Sequence, residues 1–245
     1  MSNPTAAMLV IGDEILSGRT RDANMHHLAQ QLVELGIDLK EVRVVSDHAP
    51  AIVSAVRELS RLYNTVFTSG GIGPTHDDIT ADCIAEAFDV EIGVRDDARE
   101  LLQAHYDKSG VELNEARLRM ARIPDSATLI DNPVSVAPGF TIHNVHVMAG
   151  VPSVFQAMVA SVLPTLTGGA PLVSQTLQVD RGEGDIAGPF SQLAARYPDL
   201  SMGSYPFQRH GRYCVNLVVR GHDSQAVTAV IEQLRVLFSN DAGQD

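Results

Sequence analysis

The sequence predicts an α/β domain with a mostly parallel sheet, followed by a small α+β module. Three observations predict this. Apolar runs of strand length alternate with stretches of helical period through the first two-thirds of the chain. The first of these runs is continuous rather than alternating, as a strand buried on both faces requires. The segment Thr167-Gly168-Gly169-Ala170-Pro171 then interrupts the pattern with flexible residues and a proline, after a helix stop and before a new strand. Strict alternation of strand and helix implies a parallel sheet covered on both faces. A chain of 245 residues exceeds the usual single-domain size, so two domains are expected, 1–168 and 169–245.

Each element has its own signal. Ala7 to Ile11 is an apolar run ending at Gly12, which suits a buried strand feeding a loop. Met25, Leu28, Ala29, Leu32, Val33 and Leu35 recur at helical spacing, and Gly36 closes the segment as a C-terminal cap. Leu39 to Val45 reads as a strand, Pro50 to Leu62 as a helix, Thr65 to Thr68 as a strand and Ile79 to Phe88 as a helix. Helical stretches at Asp96 to Ser109 and Asn114 to Ala121 lead into Ser126 to Ile130. The pair Gly139 to Ile142 and Val145 to Met148 reads as a hairpin, and a helix from Ser153 to Leu163 ends at Pro164. In the second module, strands are expected at Val173 to Val179, Leu200 to Tyr205 and Tyr213 to Arg220, with helices at Asp185 to Tyr197 and Ser224 to Phe238.

Composition excludes several classes. A formal charge of −12 repels a polyphosphate backbone, so nucleic acid is not expected as the main partner. No apolar stretch is long enough to span a membrane, and the first residues lack the basic region of an export signal, so a cytoplasmic protein is expected. Cys83 and Cys214 are far apart and each lies in an apolar pattern, which points to buried reduced thiols. The histidines form no zinc-binding spacing, and there is no serine-nucleophile elbow.

The chemistry concentrates in Thr68-Ser69-Gly70-Gly71-Ile72-Gly73-Pro74-Thr75-His76-Asp77-Asp78-Ile79-Thr80, which leaves a strand, crosses a glycine-rich loop and enters a helix. Phosphate cradles have this layout, because glycines let consecutive N–H groups converge on an anion at a helix N-terminus. Ser69, Gly70, Gly71, Gly73, Pro74, Thr75 and His76 are therefore candidate ligand contacts. No Lys-Ser/Thr follows the glycines, and His76 stands where the dinucleotide fingerprint has its third glycine, so neither common phosphate motif applies.

Asp77 and Asp78 would repel a phosphate unless a divalent cation sat between them. A Mg²⁺-like ion is thus expected, bound through one or two carboxylates plus substrate phosphates. Capping of the next helix accounts for one of the two aspartates, but two in tandem after this loop favour function. Right-handed crossovers bring Gly12, Asp13 and Glu14, at the end of the first strand, to the same sheet edge, along with Asp47 after the second. Asp47, Asp77 and Asp78 are the candidate catalytic residues; Asp13, Glu14 and Asp78 are the candidate metal ligands; Gly12 is a further ligand contact.

These residues resemble a known family, the molybdopterin-binding domain shared by molybdenum-cofactor biosynthesis proteins, and most closely the N-terminal part of competence/damage-inducible protein A (CinA). Five blocks carry the resemblance: Gly12 to Gly18 with Asp22 and Asn24; Val45-Ser46-Asp47; the Gly70 to Thr80 loop; Asn132 to Phe140; and Gly150-Val151-Pro152 with Met158. It implies a three-layer α/β/α fold and a dimeric or trimeric assembly. In CinA-type members it implies divalent-metal-dependent (Mg²⁺, Mn²⁺ or Co²⁺) cleavage of a dinucleotide pyrophosphate such as ADP-ribose. Some FAD synthases share the wording of the glycine loop, and there it is associated with FAD pyrophosphate cleavage. In the cofactor-biosynthesis branch, aspartates matching Asp47 and Asp78 lie at the pterin and nucleotide site, so molybdopterin is a further candidate ligand.

The tail resembles the small KH-like module that follows this domain in CinA proteins, with Gly203-Ser204-Tyr205-Pro206 expected between strands. The chain departs from the CinA pattern at Ser135-Val136, Ala149 and Val154-Phe155. It ends before the amidohydrolase domain of many CinA proteins, so nicotinamide mononucleotide deamidation is not expected. Two readings follow for the first domain: a metal-dependent hydrolase, or a non-hydrolytic molybdopterin or nucleotide binder. RNA binding by the tail would need a GxxG loop, which neither Gly182-Glu183-Gly184 nor Arg209 to Arg212 supplies.

Overall fold

The computed structural model describes residues 3–239 and divides between Gly169 and Ala170 into two units. From the N-terminus the first unit runs β1 (Thr5–Ile11), α1 (Asp13–Leu16), α2 (Asn24–Glu34), β2 (Asp38–Val45), α3 (Ala49–Leu62), β3 (Thr65–Ser69) and α4 (Thr80–Phe88). It continues with β4 (Ile92–Val94), α5 (Asp96–Ser109), α6 (Glu115–Leu118), β5 (Arg122–Pro124), β6 (Thr128–Ile130), β7 (Gly139–Ile142), β8 (Val145–Met148) and α7 (Pro152–Val162).

Six strands form the main sheet in the order β2-β1-β3-β8-β7-β6. The first four run parallel, and β7 and β6 close the sheet antiparallel. β1 is the spine, and its side chains divide strictly by parity. Ala7, Leu9 and Ile11 join one apolar layer with Ile52, Val56 and Leu59 of α3 and Ile84 of α4. Ala6, Met8 and Val10 join the other with Leu28 and Leu32 of α2 and Phe155 and Met158 of α7. This two-sided burial is why the run reads as continuously apolar. Truncating a fully buried Leu32 to alanine costs about 2–5 kcal/mol in such a layer.

Two features escape the sequence pattern. β4 and β5 form a separate antiparallel pair outside the main sheet, each only three residues long. α1 is a single turn at the end of β1, where a loop is expected.

The second unit comprises β9 (Val173–Val179), α8 (Glu183–Ala194), β10 (Ser201–Arg209), β11 (Arg212–Gly221) and α9 (Ser224–Ser239). Its three strands are antiparallel in the order β10-β11-β9. Ile186 of α8 packs with Val215, Leu217 and Val219 of β11 and Val227, Val230 and Leu234 of α9. Gly203 to Pro206 does not separate strands. It lies inside β10, paired with β11 from Val218 to Val215, and the chain reverses instead at His210 and Gly211, both at positive φ. Pro206 is tolerated because β10 is an edge strand. Among the described residues, no helix is long and apolar enough to cross a membrane.

Candidate functional site

Parallel pairing brings four strand ends to one edge. Ile11 pairs with Val45, Val10 with Ser69, and Ser69 with Met148, so the segments after β1, β2, β3 and β8 emerge together. β7 runs the opposite way, and the segment before it, Asn132 to Ala137, therefore reaches the same edge.

The glycine loop is held closely against this edge. Gly70 N–H donates to the Met148 carbonyl at 3.1 Å, Thr80 Oγ1 donates to the Gly70 carbonyl at 3.0 Å, and Thr80 N–H donates to the Gly71 carbonyl at 2.9 Å. Gly70 has φ 111°, and a Cβ there would lie 2.2 Å from the Ile11 carbonyl oxygen. Gly71 has φ 70°, and its Cβ would meet Thr80 Oγ1 at 2.1 Å. Only glycine fits either position.

Asn24, the first residue of α2, fastens two loops. It is buried, and its Nδ2 donates to Ser69 Oγ and to the Gly150 carbonyl, both at 2.8 Å. Its Oδ1 is buried without a partner.

The carboxylates occupy two groups. Asp78 folds back over its own loop, its Oδ2 accepting from Thr75 N–H at 2.8 Å and Thr75 Oγ1 at 2.6 Å. Asp47 accepts from the Asp13 N–H at 2.9 Å and so anchors the first turn of α1. Partial burial raises the Asp47 pKa. The Asp13 hydrogen bond opposes that rise, and the negative charges of Asp13, Glu14 and Asp77 reinforce it. Among the described residues, no three His, Cys, Asp or Glu side chains converge closely enough to hold an ion by themselves.

A pocket of about 530 Å³ opens in front of the loop. Its polar side is Gly70, Gly71, Gly73, Glu14 and Asp78. Its apolar wall includes Ile72, Met120, Ala137, Val151, Pro152 and Met158. One acidic, amide-lined side facing an apolar wall suits a ligand with a phosphate at one end and a flat ring at the other. A polar cavity of about 690 Å³ lies at the opposite edge, where Asn64, Asn144 and His146 already bond to protein groups.

The structure sorts the sequence-predicted residues. Glu14, Gly70, Gly71, Gly73, Pro74 and Asp78 line the pocket. Gly12 is buried beneath the Glu14 carboxylate, which a Cβ at residue 12 would strike at 2.5 Å. Ser69 is buried and taken up by Asn24, and Thr75 is committed to Asp78. The His76 side chain is 99% exposed, 4.0 Å from the Asp77 carboxylate. Asp13, Asp47 and Asp77 stand beside the pocket rather than in its wall. Thr20, Met120 and Val154 also line it. No sequence signal singles out Met120, because it sits in a helical stretch that reads as core.

Comparison with known proteins agrees with this geometry. Residues 7–168 match the model of the probable molybdopterin binding domain, and residues 171–244 match that of the FAD synthase middle domain. A Caenorhabditis elegans protein named "Probable FAD synthase" is 34% identical over 96% of this chain and 50% of its own length. A Pyrococcus abyssi protein is 32% identical over 93% of this chain and 94% of its own. The chain spans about half the length of the curated FAD synthase relatives it matches. A solved structure of the protein CinA from Thermoplasma acidophilum, titled as of unknown function, superposes with a TM-score of 0.62 at 30% identity, over 67% of this chain and 99% of that one. The fold, the loop and these matches converge: this chain belongs to the molybdopterin-binding-domain family.

Proposed function

We propose that this chain is a divalent-metal-dependent hydrolase that cleaves the pyrophosphate of a nucleotide such as ADP-ribose or FAD. The observation that carries this reading is the crowding of carboxylates around an amide-lined loop: Asp47, whose pKa is raised first by burial and then by the charges of Asp13, Glu14 and Asp77, stands next to the pocket that Glu14 and Asp78 line. Such repulsion is relieved by a cation. Because no three side chains converge, the fit is to an ion bound through one or two carboxylates and completed by water and the ligand's own phosphates, the habit of Mg²⁺. Glu14 and Asp78 would hold it, with Asp13 alongside. When bound, such an ion neutralises phosphate charge and polarises a phosphoryl oxygen.

The chain's own residues supply the rest of the chemistry. The N–H groups of Gly71 and Gly73 orient the phosphate, and the apolar wall excludes bulk water from the ring end. Asp47, whose raised pKa makes it a stronger base than an ordinary carboxylate, accepts the proton of the attacking water. The water oxygen adds to one phosphorus as the bridging P–O bond breaks, and the second phosphate leaves with the bridging oxygen.

A second reading is favoured by the absence of a convergent ligand set among the described residues and by the name of the worm relative, which describes synthesis rather than cleavage. In it, the pocket binds molybdopterin or a nucleotide without hydrolysing it. The deciding measurement is mononucleotide release from ADP-ribose and FAD with Mg²⁺, Mn²⁺ or Co²⁺, in wild type and Asp78→Ala. Metal-dependent release that the variant loses supports hydrolysis. Binding that Asp78→Ala weakens, with no release under any metal, makes the protein a carrier or a transferase partner. The resemblance also implies a homo-oligomer, which light scattering measures directly.

A further inference from the structure

The acidic balance of the chain and the tandem Asp77-Asp78 leave one question about the glycine loop: what makes it attractive to an anion in addition to its N–H groups. A 3₁₀ turn (Arg119–Ala121) places Arg119, which does not line the pocket, in an adjoining crevice with Gly71, Gly73 and Asp78. Arg119 Nη2 donates to the Asp78 carbonyl at 3.1 Å. Its Nε is buried and has no partner. Its neighbour Arg122 pairs with Asp82, whereas Arg119 makes no ion pair among the described residues. The nearby Asp78 carboxylate is turned towards Thr75 instead.

A half-buried guanidinium without a carboxylate is costly to keep, because desolvation is not offset by a counter-charge. The crevice and the pocket share Gly71, Gly73 and Asp78, so these loop residues are what stands between its charge and the pocket. Its bond to Asp78 also fixes the carbonyl at the entry to α4, so the turn that bears both aspartates is set by the same side chain.

We propose that Arg119 is a positioning residue for the phosphate end of the ligand: its unpaired charge, acting across the loop, offsets the aspartates and makes the pocket selective for phosphorylated ligands. This rests on reading the Gly70–Gly73 loop as a phosphate site, and it does not depend on whether the site hydrolyses what it binds.

The test is calorimetric binding of AMP, adenosine and inorganic pyrophosphate, at low and high salt, to wild type, Arg119→Met and Arg119→Lys, each checked for a native circular dichroism spectrum. The expected result is that Arg119→Met weakens AMP and pyrophosphate by about ten-fold, as loss of one nearby positive charge would. Adenosine binding stays unchanged, and the salt dependence for AMP becomes shallower. Arg119→Lys, which keeps the charge, recovers affinity to within about three-fold. Should Arg119→Met fail to fold, Arg119→Gln, which keeps a donor and removes the charge, takes its place with the same expectation. Unchanged AMP affinity overturns the proposal, and so do equal losses for AMP and adenosine with an unaltered salt dependence, which would assign Arg119 to loop structure alone. Wild type that binds neither AMP nor pyrophosphate overturns both this inference and the phosphate reading. Wild type that binds AMP but releases nothing from ADP-ribose or FAD overturns hydrolysis only.

Discussion

Replacing Asn24 by alanine removes a side chain that ties the end of β3 to the segment after β8. Two hydrogen bonds of 2.8 Å are lost, to Ser69 Oγ and to the Gly150 carbonyl, at a residue only 3% exposed. Each is worth about 1 kcal/mol net, and the abandoned partners add about 1–3 kcal/mol where they stay buried. Against this, the variant no longer buries the unpaired Asn24 Oδ1. The balance is a loss of about 3 kcal/mol, which for a unit of this size is about 6–12 °C in Tm. The assay is thermal unfolding followed by circular dichroism, with ligand affinity measured on the same preparations. Affinity should fall as well, because Gly150 and Gly70 touch closely enough that a Cβ on Gly150 would lie 3.3 Å from Gly70 Cα. Asn24→Asp should be worse than Asn24→Ala, since a carboxylate would face the Gly150 carbonyl without a proton to donate. A Tm within 2 °C of wild type for Asn24→Ala would show that the two loops hold each other without Asn24, and the reasoning would fail.

Three further outcomes follow from the same geometry. Gly70→Ala places a Cβ 2.2 Å from the Ile11 carbonyl at φ 111°, so urea unfolding should show a loss of at least about 2 kcal/mol, accompanied by loss of phosphate binding; a near-neutral effect would contradict the loop geometry. Because the folded-state pKa of Asp47 is raised above its ordinary value, its contribution to stability is fully present below that ordinary value and is lost as pH rises through the raised one. Asp47→Asn, which keeps an oxygen to accept the Asp13 N–H, should therefore gain in Tm relative to wild type as pH rises through that window in metal-free buffer, and a constant difference at every pH would refute the assignment. His146, buried between the Thr65 and Thr141 hydroxyls with its pKa pushed down to about 4, should stay neutral in a ¹H–¹³C NMR titration from pH 8 to pH 5, and a ring that charges within that range would contradict its burial.

Much of the fold is legible because burial on both sides of β1 leaves an uninterrupted apolar run, and because α2 and α3 carry their apolar residues at helical spacing. The glycine loop is legible for a related reason. Gly70 and Gly71 are needed by the backbone itself, so their clustering before a helix is a signal that survives without any structure. What the sequence hides is local or orientational. β4 and β5 are three residues each, too short for a period to register, and the reversal at His210 carries a positive φ on a residue that gives little warning of it. Gly203 and Pro206 mimic a turn, yet an edge strand accommodates both. Within the site, Ser69 and Thr75 have the right chemistry for ligand contact, but Asn24 and Asp78 reach them first. Arg119 gives no signal because its relevance arises only when the 3₁₀ turn is folded beside the loop.

The hairpin of β7 and β8 works as a ruler for the pocket. One part of the pocket lining, at Ala137, precedes β7, and another, from Ala149 to Pro152, follows β8, so both are carried by the two open ends of a single hairpin. Removing two residue pairs from it would draw both parts back together by about 7 Å, the rise of two antiparallel residues, with every side chain still on its own face, while the glycine loop, fixed to β3, stays where it is. Removing one residue from a single strand would instead turn its inward side chains outward and collapse the layer. Ligand length in relatives of this fold is therefore adjustable in paired steps, with the phosphate end held constant and only the reach of the ring end changed.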